Sequence, residues 1–231
     1  MKNTSLFILL CFLTISCGSV DNKVKTNFAN TAKNINKWTA INGDWTAESY
    51  NLTGEKNKHW AIITLNKQLP ENYILTFSSQ VQEGTYLLEV MLNIKEQAFL
   101  GILYNTLDKK LQIEDRKLFK GEEIIKENAF IRTKNNIGKL PKVALIPTTE
   151  WVTWQIQKID NHLYIWLNNE EYFHYEDHTT HLQSRGQLGF AINGQATIKD
   201  LNITPLKGKT PVHPTDFKSK PVILPFFLFS E

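Results

Sequence analysis

The fold is decided by residues 151–167, WVTWQIQKIDNHLYIWL. Val152, Trp154 and Ile156 alternate with polar residues, the period-two pattern of a strand with one buried face. Asp160 and Asn161 follow, and both residue types tolerate left-handed backbone and suit a tight turn. Leu163, Ile165 and Leu167 then alternate with His162, Tyr164 and Trp166. The second strand thus has an aliphatic face, expected to enter a core, and an aromatic face pointing away from it. The stretch reads as the central hairpin of a large β-sandwich.

Working outward, the same period recurs. Residues 43–54 form two short strands joined by turns, and 59–65, 73–81 and 86–92 form three more. In the last of these Tyr86, Leu88, Val90 and Leu92 share one face and Glu89 lies on the other. Residues 99–104 and 111–115 pair as a hairpin. Residues 122–128 allow a turn or two of helix, and 130–133 a short strand. Residues 187–193 and 196–204 close the series, with Asn193-Gly194 between them as a hairpin signal. The pattern of the last strand slips by one residue at Lys199-Asp200, as a β-bulge produces. No long helix is expected. About a dozen strands with Gly and Asn turns predict one all-β domain, an antiparallel sandwich over residues 38–204.

The ends have a different composition. Residues 1–16 combine Lys2 with a short apolar run, too short for the ~20 residues that span a bilayer. They predict an export signal, and Ser16-Cys17-Gly18-Ser19 resembles a bacterial lipobox. Cys17 is the only cysteine left once the signal is removed, so no internal disulfide forms, and acylation of Cys17 would anchor the chain to a membrane. Residues 18–37, polar and rich in Asn, Lys and Thr, read as a flexible tether. Residues 205–231 carry five prolines and read as an extended tail. Its apolar run, 222–229, is broken by Pro225 and is positioned to pack on the sandwich or on a partner. The formal charge of +3 is small and scattered, which excludes a nucleic-acid partner. The chain lacks a phosphate-cradling loop, a nucleophile elbow and a zinc-finger spacing, and no cofactor is implied. The expected location is the bacterial cell envelope, lipid-anchored at the outer membrane or facing the periplasm.

Three segments resemble one family. GDWTAESYNLTG (43–54), WVTWQIQKIDNHLYIWLNN (151–169) and GQLGFAINGQATIKDLNI (186–203) are similar, in order, to the opening strands, the central hairpin and the closing strands of the 3-keto-disaccharide hydrolase domain family. That family belongs to the concanavalin-like jelly rolls. The resemblance implies the jelly-roll fold and a glycan as partner. Gly101-Ile102 remains of a longer family motif, Asn193 stands where the family carries His, and no catalytic residue is carried over.

The candidate site residues fall into three groups. Tyr164 and Trp166, with Trp60 and Tyr104 as lesser members, would offer flat aromatic surfaces on which the apolar face of a sugar ring stacks. Glu89, Glu114 and Asp115 are the carboxylates from which a glycosidase would draw its pair. Arg116, Arg132 and Arg185 could pair with acidic sugars. His174, His178 and His181 form the densest set of possible metal ligands, though a solvated polar loop is the favoured reading of that segment. The expected function is carbohydrate binding in polysaccharide use, with glycoside hydrolysis of a (3-keto-)disaccharide or oligosaccharide, and a structural envelope role, as alternatives.

Overall fold

The computed structural model describes residues 35–58, 60–107, 110–118, 126–129 and 149–215; of Lys110, residues 126–129 and Phe173 it describes the backbone alone. The export signal, Cys17, most of the tether, Arg132, the strand expected at 130–133 and the apolar run 222–229 lie outside the described residues.

The chain forms β1 (Trp38–Asn42), β2 (Asp44–Glu48), β3 (Asn51–Glu55), β4 (Ala61–Gln68), β5 (Tyr73–Val81), β6 (Leu87–Lys95) and β7 (Ala98–Asn105). It continues with β8 (Lys110–Lys117), β9 (Lys126–Ala129), β10 (Val152–Ile159), β11 (His162–Leu167), β12 (Glu170–Glu176), β13 (Gln187–Asn193) and β14 (Gln195–Pro205). The first seven-stranded sheet runs β1-β4-β13-β6-β7-β8-β9 and the second β12-β11-β10-β5-β14-β3-β2, every pairing antiparallel. This is the expected concanavalin-like sandwich.

The core between the sheets is made by alternate residues. Leu88, Val90 and Leu92 from β6, Leu188, Phe190 and Ile192 from β13, and Leu163, Ile165 and Leu167 from β11 all belong to it. Trp154 sits at its centre, fully buried. Its ring stacks on Phe77 at 5.5 Å, and Phe77 meets Phe190 of the facing sheet edge-on at 5.4 Å. The indole N–H donates to Ser79 Oγ at 2.8 Å, so the one polar atom of the ring is satisfied where no water reaches.

The β10–β11 hairpin turns at Asp160-Asn161 with Ile159 opposite His162, as the sequence predicts. Asp160 takes the left-handed backbone the turn needs, φ 52°. The bulge in β14 is present, with Asp200 at φ 55° and one extra residue between Lys199 and Asn202 against β5. Asn193-Gly194 is not a hairpin turn. β13 and β14 lie in different sheets, so this dipeptide is the corner where the chain crosses the sandwich. Gly194 (φ 142°) leaves no room for a Cβ against Thr85, whose hydroxyl accepts from Gln195 N at 3.0 Å and donates to Gln195 O at 2.8 Å. The dipeptide signals a sharp reversal of the backbone and carries no information on which strand comes next. Tyr86, expected to face inward, precedes β6 and is exposed. The third strand starts later than expected, at Ala61.

Candidate functional site

Both faces of β6 and β7 are buried, although only one of them faces the second sheet. The other face is built from the residues that point away from the core. These include a small apolar cluster, Ile62, Met91, Ile94, Phe99, Leu118 and Ala191. Trp60, half-buried, packs against it at the start of β4. Among these apolar groups sit three charged side chains. Glu89 is fully buried, Glu114 is 2% exposed and Arg116 is 5% exposed.

Register explains their meeting. Gly101 of β7 pairs with Met91 of β6 on one side and with Glu114 of β8 on the other. Glu89 lies two residues back from Met91, and Arg116 two residues on from Glu114. Arg116 Nε is 3.3 Å from Glu89 Oε1, and Arg116 Nη1 donates to Glu114 Oε2. A single guanidinium thus joins two carboxylates across three strands, over a residue that has no side chain. A Cβ at Gly101 would overlap Glu89 Oε1. Charged groups taken out of water are costly unless paired and hydrogen-bonded, and they add nothing to packing that an apolar residue would not.

The other carboxylate candidate lies elsewhere. Asp115 is hydrogen-bonded through Oδ1 to His181 Nε2. It is opposite Leu100, a core-facing residue, on the reverse side from Glu114 and Arg116. His181 belongs to a short 3-10 turn (His181–Gln183) that Asn93 fastens by donating Nδ2 to Ser184 O at 2.7 Å. Asp177, 2% exposed, accepts from Thr179 N at 2.9 Å and from Leu182 N at 3.0 Å. The histidine-rich loop is therefore ordered around Asp177, and Asp177-x-Thr179 is the sequence signal of that turn. Its three histidines are not brought together: His181 meets Asp115, His178 is exposed, and His174 lies on β12. Among the described residues no group of three His, Cys, Asp or Glu could hold a metal ion.

The aromatic face of β11 points outward from the second sheet. Tyr164 stacks on His174 at 4.3 Å and 5°, and Trp166 lies 6.2 Å from Tyr164. Tyr164 is half-buried, but Trp166 is only 3% exposed, so its ring is not open to a sugar. Beside them the tail crosses β10: Val212 N donates to Gln157 Oε1 at 2.9 Å, and Gln155 Nε2 donates to Val212 O at 3.1 Å. Gln155 and Gln157 are the cross-strand partners of Trp166 and Tyr164. Tyr104, the remaining aromatic candidate, lies in the core with its ring edge-on to Trp154 at 6.4 Å. Burial pushes its hydroxyl up to about 12. The expectation that Tyr104 offers an aromatic surface to a sugar is therefore corrected: Leu103, opposite Glu89, points outward and Tyr104 inward. Of the arginine candidates, Arg185 is exposed, with Glu71 Oε2 at 3.9 Å.

The chain matches no protein-family model and no curated protein sequence. By fold it is similar to the carbohydrate-binding module CBM66 from Bacillus subtilis, at 12% identity and TM-score 0.53 over 72% of this chain and 94% of that one. It is also similar to a candidate glycosyl hydrolase from Parabacteroides distasonis, at 15% identity and TM-score 0.52 over 76% and 91%. A Bacillus subtilis protein of unknown function with a galectin-like fold matches at 8% identity and TM-score 0.53 over 77% and 94%. At these identities the similarity establishes the jelly-roll fold.

Proposed function

We propose that this chain is a lipid-anchored envelope protein, attached through Cys17, that binds carbohydrate on the outward face of β6, β7 and β8. One observation carries the reading: Trp60, half-buried, presents an aromatic ring on that outward side, while Glu89, Arg116 and Glu114 are assembled over Gly101 beneath the surface and fix the strands there. The three charged side chains are themselves buried, so they act as positioning groups and do not touch the sugar. Trp60 enters the same face two strands from β6 and supplies the aromatic surface. Similar folds in a carbohydrate-binding module and a candidate glycosyl hydrolase support the same ligand class.

Binding is favoured over hydrolysis by how the carboxylates are held. Cleavage of a glycosidic bond requires one of the pair to be a proton donor. Here both carboxylates accept from, or pair with, one guanidinium, which suits acceptors. The hydrolase reading keeps one specific support, the presence of Glu89 and Glu114 on the same face. A glycan screen of the full chain that scores retention and released reducing sugar in the same wells separates the two. Retention without release supports binding, release supports hydrolysis, and neither on any glycan overturns both.

A further inference from the structure

His162 of β11 and His174 of β12 serve neither the core nor the carboxylate–arginine trio. They lie on adjacent strands and on the same outward face, and His162 Nδ1 is 2.9 Å from His174 Nε2. Both rings are half-buried, with centroids 5.0 Å apart. Tyr164 lies flat against His174 and fixes its plane. Glu176 stands directly opposite His162 on β12, and both Glu171 and Glu176 exert their charge on His174. Two imidazoles held nitrogen to nitrogen share either a proton or a Lewis acid. Two nitrogens each about 2.05 Å from one metal ion, and at right angles about it, lie about 2.9 Å apart. The right-angle arrangement is that of neighbouring ligands in a tetragonal copper or nickel site, for which imidazole is a suitable donor.

We propose that His162 and His174 bind a divalent transition metal ion of the copper(II) or nickel(II) class, with solvent in the remaining positions. The flanking Glu171 and Glu176 add negative potential that favours a cation at this spot. Burial and His162 both disfavour the charged form of His174, which keeps the ring available as a ligand against the opposing pull of Glu171 and Glu176. The ion would clasp β12, the edge strand of the second sheet, onto β11. This inference is independent of the carbohydrate reading.

The test is titration of the full-length protein with Cu²⁺, followed by calorimetry and by electron paramagnetic resonance. One equivalent should bind, and the spectrum should show two coupled imidazole nitrogens. His162→Gln and His174→Gln should each weaken binding at least tenfold and leave one coupled nitrogen, while the exposed His178→Gln should bind as the wild type does. The wild-type spectrum decides the matter even if a variant fails to fold. No saturable binding, fewer than two coupled nitrogens in the wild type, or wild-type affinity in a folded variant of either histidine would overturn the proposal.

Discussion

Gly101 lies directly beneath Glu89: a methyl group at position 101 would overlap Glu89 Oε1 and stand 3.1 Å from Arg116 Cδ. The absence of a side chain there is what lets the carboxylate lie across β7 and reach the guanidinium that rises from β8. Gly101→Ala should therefore cost about 1–3 kcal/mol by overpacking. It should also abolish glycan retention at temperatures where the variant is still folded. A melting curve and a retention assay on the same sample check both parts.

Arg116 keeps two buried carboxylates paired. Arg116→Met should destabilise the protein by about 3–5 kcal/mol, because it removes the guanidinium that pairs with both buried carboxylates. The triple variant Glu89→Gln/Glu114→Gln/Arg116→Met should regain most of that loss while remaining unable to retain sugar. Denaturant unfolding of the two variants measures the difference. If the triple variant is no more stable than Arg116→Met, the trio is not the coupled unit described.

The histidine pair makes stability depend on pH. Burial, then His162, lowers the pKa of His174 below its ordinary value. The unfolded chain then holds the proton more readily than the folded one, so stability increases with pH where the two differ. Stability from this group is fully present above the unfolded value of about 6.5 and is lost as pH falls through it toward the folded value. His174→Gln should flatten that slope between pH 5 and 7, a window of roughly that position, and denaturant midpoints across the range check it.

The tail holds to β10 through Gln155 and Gln157. Gln155→Ala/Gln157→Ala should release it and raise the acrylamide quenching of tryptophan fluorescence, because Trp166 is 3% exposed beside that contact. Melting should shift little, since the core beneath is made by Val152, Trp154 and Ile156. Unchanged quenching would mean that the tail does not shield Trp166.

Much of this architecture is legible in the sequence because strands alternate. Residues 151–167 announce both their core face and their turn, and Lys199-Asp200 announces its bulge. What periodicity cannot carry is which strand lies beside which. Asn193-Gly194 signals a reversal equally well whether the chain stays in its sheet or crosses to the other. The same limit applies to the site. Glu89 and Glu114 are singled out as carboxylates, but their meeting depends on the registers of β6, β7 and β8, and on a glycine that reads as an ordinary strand residue. Trp166 is rightly assigned to the outward face, while its burial depends on contacts made outside its own hairpin. His162 is placed on the outward face of its strand but not paired, because its partner, His174, becomes a neighbour only when β12 folds back.

The central claim is that the outward face of β6, β7 and β8, with Trp60 on it and Glu89, Glu114 and Arg116 buried beneath it, binds sugar. The most direct measurement is the glycan screen of the full chain, repeated on the best-retaining glycan with Glu89→Gln, Glu114→Gln and Trp60→Ala. The account predicts retention without released reducing sugar, at least tenfold weaker in each variant, with melting of Trp60→Ala close to wild type. Retention that is unchanged in Trp60→Ala, or no retention on any glycan, would contradict it.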